Sequence, residues 1–243
     1  MPTVLVLGAT SDIGLAIATA FAKDKCNLQL TARSREQLLP VQSDMTIRYG
    51  IECDVYKFDA MDFPTHRAFY DALPVKPDVT VCVFGYMGDN EKVIHNQKET
   101  LRTIATNFAG AVSILNMVAE DYAAKKRGWI IGVSSVAGER GRYSNYIYGS
   151  AKAGFTAYLS GLRNRMYHEN VHVMTVLPGF VYTRMTEHLN LPKLLTATPE
   201  DVGKAVFKAV HRKKNVIYVK WFWRWIMLII KLIPEPVFKR KKL

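Results

Sequence analysis

Short apolar runs alternate with amphipathic stretches along nearly the whole chain. Runs of about four to eight apolar residues fit strands buried on both faces, as in a parallel sheet. They fall at Thr3–Leu7, Asn27–Thr31, Ile51–Lys57, Asp78–Val83, Trp129–Val133, Val171–Val176 and Val216–Val219. Helices are expected at Ile13–Lys23, Glu36–Leu39, Thr65–Leu73, from about Thr100 to Lys126, at Tyr146–Asn170 and at Pro199–His211. The start of the last is marked by Thr198-Pro199-Glu200-Asp201: a capping threonine, a proline in the first turn, and acids at the positive end of the dipole. Strand–helix alternation with right-handed crossovers gives a doubly wound α/β parallel sheet of about seven strands, helices on both faces and the site at the strands' carboxyl ends. The only sharp shift in composition comes near Trp221, so residues 1–220 are expected to form one domain and 221–243 a distinct segment.

Two motifs sit on this frame. Gly8-Ala9-Thr10-Ser11-Asp12-Ile13-Gly14 follows the first strand and opens the first helix. Gly8 permits a tight turn, Gly14 permits close packing, and the helix N-terminus offers N–H groups and positive dipole to a pyrophosphate. Tyr148 and Lys152 stand four residues apart on an expected helix and share a face, with Ser135 thirteen residues upstream. A free phenol titrates at roughly 10, and a nearby ammonium lowers that value. With a serine hydroxyl to hold an oxygen, the three side chains make a proton-transfer device for interconverting ketone and alcohol.

In this order and separation the motifs resemble the short-chain dehydrogenase/reductase family, from Thr3 to about Val219. The resemblance implies a Rossmann-type fold that binds a nicotinamide cofactor. It places the family's glycine-rich turn on Gly8, Ser11, Ile13 and Gly14, with Thr10 and Asp12 in the same loop. The catalytic serine, tyrosine and lysine fall on Ser135, Tyr148 and Lys152, and the family's asparagine on Asn107. Ser135 would hold the carbonyl oxygen and Tyr148 would deliver the proton. Lys152 would lower the Tyr148 pKa and hold the nicotinamide ribose, and Asn107 would position a water in the proton relay. After Pro178 and Gly179, Val181 and Thr183 would meet the carboxamide end of the cofactor, and Asp59-Ala60 would meet the adenine. The fourth strand departs from the family's Asn-Asn-Ala-Gly ending: only Gly85 is kept, and Phe84 is expected to narrow the adenosine pocket. A homo-oligomer, dimer or tetramer, is also implied.

Cofactor choice rests on the end of the second strand. No acid stands there for a ribose 2′-hydroxyl, whereas Arg33 can pair with a 2′-phosphate. NADP(H) is therefore favoured over NAD(H), although Asp12 brings a carboxylate to the same neighbourhood.

The formal charge of +12 is concentrated at one end. Lys204 to Leu243 carry twelve Lys or Arg and a single acid, Glu235, leaving the rest of the chain close to neutral. That distribution does not indicate a nucleic-acid surface over the body. The three cysteines lie far apart, as reduced core residues would, and no histidine pair has the spacing of a metal site. No cleavable leader is visible, so a cytoplasmic protein is expected, or one held at the cytoplasmic face of a membrane.

Trp221 to Ile233 is apolar and tryptophan-rich, with Arg224 and Lys231 on one helical stripe. A helix of that length covers roughly 20 Å, too short for a hydrocarbon core of roughly 30 Å. It suits a helix lying in the membrane interface, and Lys239-Arg240-Lys241-Lys242 would attract anionic lipid. The alternative is a helix packed on the body or in an oligomer contact. The stretches Gly138 to Gly154 and Ile233 to Arg240 resemble the decaprenylphosphoryl-2-keto-erythro-pentose reductase branch of the family. This resemblance implies a lipid-linked 2-keto sugar as substrate, supplied by a flavin oxidase partner. Arg140 and Arg142 are candidates to meet the substrate phosphate, the alternative being surface arginines in a loop. Reduction of a steroid, retinoid or fatty acyl ketone is the rival with the same chemistry. A non-catalytic NAD(P)-binding scaffold is the rival of another class.

Overall fold

The computed structural model describes residues 1–187 and 189–242, so Leu243, the end of the expected membrane segment, lies outside the described residues. Six strands come first: β1 (Thr3–Leu7), β2 (Asn27–Ala32), β3 (Cys53–Lys57), β4 (Val79–Cys82), β5 (Trp129–Val133) and β6 (His172–Pro178). Two-residue strands β7 (Phe180–Val181) and β8 (Thr196–Ala197) pair with each other, and β9 (Val216–Val219) completes the main sheet. Its order is β3-β2-β1-β4-β5-β6-β9, and every pairing is parallel. Val4 is in register with Leu28 on one side and Val79 on the other. The strand order thus reverses between β1 and β4, and a crevice opens there at the strands' carboxyl ends.

The helices are α1 (Asp12–Lys23), α2 (Leu39–Tyr49), α3 (His66–Asp71), α4 (Asn90–Val93), α5 (Gln97–Ile104), α6 (Gly110–Lys125), α7 (Tyr146–Tyr167), α8 (Pro199–His211), α9 (Trp223–Leu232) and α10 (Glu235–Phe238). Side chains alternate along β1: Val4 and Val6 pack with Ile17 and Phe21 of α1 and Val202 and Val206 of α8. Leu5 and Leu7 face the other way, into Ile114 and Val118 of α6 and Phe155 and Leu159 of α7. That two-sided burial is why the strands read as nearly continuous apolar runs. The three cysteines are buried and free.

Two elements differ from expectation. Glu36–Leu39 was expected as a short helix, but the chain runs from a 3-10 turn into α2, with Pro40 in its first turn and Gly50 ending it at φ 62°. The expected long helix starts earlier, where the Asn96 side chain accepts from Glu99 N, and it is interrupted by a π turn at Ala105–Ala109. The segment from Trp221 rests on the body by one face. One face of α9 buries Trp223 and Met227 against Val136 and Leu177, with Ile226 and Ile230 packed alongside. Among the described residues no helix is long and apolar enough to cross a membrane.

Candidate active site

Backbone contact at two glycines holds Ser135 against α7. A Cβ on Gly138 would lie 2.6 Å from Ala153 N, and one on Gly149 would lie 2.8 Å from Ala137 O. The short turn after Ser135 therefore rests directly on the first turns of the helix that carries Tyr148 and Lys152. Ser134, a residue the sequence did not single out, fastens the other side: its hydroxyl donates to Lys152 O at 3.0 Å and lies 2.7 Å from Thr156 Oγ1. Lys152 is buried, and its ammonium donates to Val133 O at 3.1 Å.

Burial sets the acid–base character of the site. The Tyr148 phenol is pushed up to about 12 by desolvation, opposed by a hydrogen bond with Ser135. Desolvation brings the Lys152 ammonium down to about 8, opposed by the neighbouring Cys82 thiol. The expected lowering of the Tyr148 pKa by Lys152 does not appear, and desolvation leaves the phenol raised. The ammonium lies 5.8 Å from the Tyr148 ring centroid and is bonded to the Val133 carbonyl, and desolvation is the largest influence on the phenol.

This arrangement has a pH consequence. Across neutral pH the phenol keeps its proton, while Lys152 loses its own as pH rises through about 8. Any turnover that needs the charged ammonium is expected to fall in kcat/KM, which reports the unliganded protein, above about pH 8; a flat profile to about pH 10 would contradict it. Stability moves the opposite way. The unfolded chain holds more protons than the native one between about 8 and the ordinary lysine value of 10.5, so Lys152 costs stability below that window and the cost is relieved as pH rises through it.

Two joined cavities run along the crevice. One, of about 320 Å³, is lined by Ser135, Tyr148 and Lys152, by Asp12 and Ile13 of α1, and by Pro178, Gly179, Val181 and Thr183 after β6. The other, of about 430 Å³, is lined by Gly8, Thr10, Arg33, Asp59 and Ala60. Ser11, Gly85 and Arg184 line both. A larger hollow of about 700 Å³ between α1 and α8 touches none of Ser135, Tyr148 or Lys152. Gly8, at φ 99°, brings the turn so close to β4 that a Cβ would lie 2.8 Å from the Phe84 backbone. Gly14 sits behind the turn, where a Cβ would meet Gly8 O at 2.5 Å. Ser11 caps α1 by accepting from Gly14 N at 3.0 Å. The Phe84 ring leans toward Phe58, 5.9 Å between centroids, and lines the second cavity without closing it.

Asn107 is buried in the π turn. Its amide donates to Tyr86 O at 2.6 Å and Thr103 O at 2.8 Å, and its oxygen accepts from Tyr86 N at 3.2 Å. Both side-chain donors are spent on backbone, so the side chain fastens the loop after β4 from the π turn. Arg140 corrects its expected role: it donates to Ile230 O, to Ile233 O at 2.8 Å and to Glu235 at 3.1 Å, and it stacks 3.6 Å from the Phe238 ring centroid. Four carbonyls are left over at a helix C-terminus, and a guanidinium placed there is taken up by them. Arg142 is partly buried, and desolvation lowers its pKa.

Arg184 is the residue the sequence reading missed. Its backbone N–H donates to Asp12 Oδ2 at 2.8 Å and its Nε to Asp12 Oδ1 at 3.1 Å, while Nη2 reaches Thr10 O. The arginine lies as a strap across the glycine-rich turn, and it neutralises the carboxylate that stood against a 2′-phosphate. The signal was the uncompensated acid at Asp12, but its partner is 172 residues away in sequence.

A family model for short chain dehydrogenase matches residues 2–193. An uncharacterized oxidoreductase of Mycobacterium tuberculosis is 31% identical over 240 residues, covering 98% of this chain and 96% of that protein. An NADP-dependent 3-hydroxy acid dehydrogenase of Schizosaccharomyces pombe is 27% identical over 230 residues, 88% of this chain and 89% of that one. Among solved structures, a short-chain dehydrogenase from Sphingobium yanoikuyae in complex with NADPH superposes with a TM-score of 0.81 at 21% identity, covering 97% of each chain.

Proposed function

The chain belongs to the short-chain dehydrogenase/reductase family, and on that premise we propose that it is an NADP(H)-dependent ketoreductase with Tyr148 as its proton donor. The observation that carries this reading is the placement of Ser135, Tyr148 and Lys152 at one end of a crevice whose other end holds Arg33. The residues fit a dinucleotide: glycines at 8 and 14 allow the turn its close approach, and the N-terminus of α1 offers donors to a pyrophosphate. Arg33 is exposed at the rim of the adenosine cavity, and Asp59 lies in its wall. The NADP dependence of the fission-yeast relative and the NADPH in the Sphingobium structure support the same choice.

When bound, the nicotinamide supplies the hydride. The Ser135 hydroxyl donates to the ketone oxygen and stabilises the charge that develops on it. Tyr148 gives that oxygen its proton as the carbonyl carbon is reduced, leaving an alcohol and a phenolate. Charged Lys152 stabilises the phenolate. Val181 and Thr183, in the wall of the catalytic cavity, would meet the nicotinamide end of the cofactor.

Arg33→Ala is expected to raise the NADPH Kd by about tenfold to a hundredfold, the worth of a charge-assisted bond. NADH binding should be unchanged, since NADH has no 2′-phosphate. Fluorescence titration with each cofactor reads both values. Tighter NADH than NADPH binding by the wild-type protein would overturn the cofactor choice.

For the substrate, the finer reading is the 2-keto sugar of a polyprenyl-phosphate-linked pentose, delivered by an oxidase. It rests on the branch resemblance of Gly138 to Gly154 and Ile233 to Arg240. With Arg140 committed elsewhere, Arg142 is the arginine left to meet the substrate phosphate. NADPH oxidation measured with a polyprenylphosphoryl 2-keto-pentose beside steroid, retinoid and 3-ketoacyl ketones tests it. Preference for any of the last three would replace this substrate while leaving the chemistry intact.

A further inference from the structure

The two faces of α9 are both apolar, and only one is covered by the protein. Trp223, Ile226, Met227 and Ile230 turn inward. Trp225, Leu228, Ile229 and Leu232 form the opposite arc and stand 54%, 41%, 66% and 71% exposed, with Trp221 beside them at 74%. A contiguous exposed patch of this kind on an otherwise ordinary surface marks a docking site. Arg224 and Lys231, both exposed, border the arc, and the exposed Lys239, Arg240, Lys241 and Lys242 follow α10.

We propose that the outer face of α9, together with the basic tail, docks on an anionic lipid bilayer. Charge complementarity selects this occupant. Residues 221–242 carry six Lys or Arg against one acid, Glu235, so a second copy meeting the same face would set like charges against each other. A lipid surface instead receives the apolar arc at the acyl boundary, the tryptophans at the headgroup level and the lysines on its phosphates.

The inner packing ties this surface to the active site. Gly179, at the wall of the catalytic cavity, lies so close to Trp223 that a Cβ would fall 1.9 Å from its Nε1. Arg140 and Glu139, in the loop between Ser135 and Tyr148, bind the end of α9 through Ile233 O and Lys231. Lys242 Nζ lies 5.7 Å from the Tyr143 ring centroid in the same loop. A bilayer under α9 therefore lies beside the loop that carries the catalytic serine and precedes the catalytic tyrosine. This inference stands apart from the substrate reading, because it concerns binding measured without ketone or cofactor.

The test uses the full-length protein with phosphatidylcholine vesicles, with and without phosphatidylglycerol, read by co-sedimentation and tryptophan fluorescence. The wild-type protein should bind only the anionic vesicles, with a blue shift, and should be released by salt. Ile229→Glu/Leu232→Glu changes two exposed side chains and should weaken anionic-vesicle binding by about tenfold or more with NADPH binding unchanged. Lys241→Glu/Lys242→Glu should also weaken it. The proposal fails if the wild-type protein binds neither vesicle, or binds both equally, or if Ile229→Glu/Leu232→Glu binds as well as wild type. It also fails if sedimentation shows a dimer that this variant splits, which would make the face a contact between copies.

Discussion

Tyr148→Phe is expected to lower kcat/KM for ketone reduction by about a hundredfold to ten-thousandfold, the range attributed to a positioned acid or base. NADPH affinity should be unchanged. The substitution removes one hydroxyl from a ring that is already seated on α7, and the other groups lining the catalytic cavity stay in place. No other group there is suited to replace it. Ser135 has a hydroxyl but no means of giving up a proton near neutrality, and Lys152 is turned to the Val133 carbonyl. Lys152→Ala should differ in kind, losing cofactor affinity together with turnover. Turnover of Tyr148→Phe within a few-fold of wild type would remove the tyrosine from the reaction.

Gly179→Ala is expected to destabilise the fold by about 1–3 kcal/mol, the usual cost of forcing atoms into a filled site. The added methyl would fall 1.9 Å from Trp223 Nε1 and 2.0 Å from its Cε2, inside a rigid, buried ring system. Trp223 would have to move, breaking its hydrogen bond to Leu195 O at 3.1 Å and loosening α9 from Val136 and Leu177. Gly161→Ala is the control: a Cβ there meets nothing within 4 Å, and alanine in the middle of α7 should be neutral or stabilising. Urea unfolding midpoints compare the two, and equal midpoints would mean that α9 is not packed as described.

What the sequence made legible follows the range of the interactions involved. β1 and β5 are placed to the residue, because two-sided burial leaves a nearly unbroken apolar run; β9 is placed as well, although it is an edge strand with Val216 exposed. The register of Ser135, Tyr148 and Lys152 was legible because two of them sit on one helix and the third lies on the turn packed against it. The extent of α2 was not: among its eleven residues only Met45 is buried, so it carries no apolar period, and the usable marks were Pro40 and Gly50. Asn107 in the π turn also bonds to Tyr86, 21 residues away, and nothing local encodes those bonds. Arg140 and Arg142 read alike in sequence. The structure separates them only because α9 delivers its C-terminal carbonyls to the first and not the second. The pKa of Tyr148 was misjudged for a related reason, since spacing gives the nearness of a charge but not the depth of burial that competes with it.

The proposed reaction moves a hydride and a proton onto a ketone in this crevice. Its most direct test is isotopic: NADPH carrying deuterium at the transferable position of the nicotinamide, wild-type protein, a ketone panel, and mass analysis of the alcohols formed. One deuterium on the carbinol carbon of a product, absent when Tyr148→Phe replaces wild type, is the expected result. Tight NADPH binding with no labelled alcohol from any ketone would contradict it and leave a cofactor-binding protein that does not catalyse reduction.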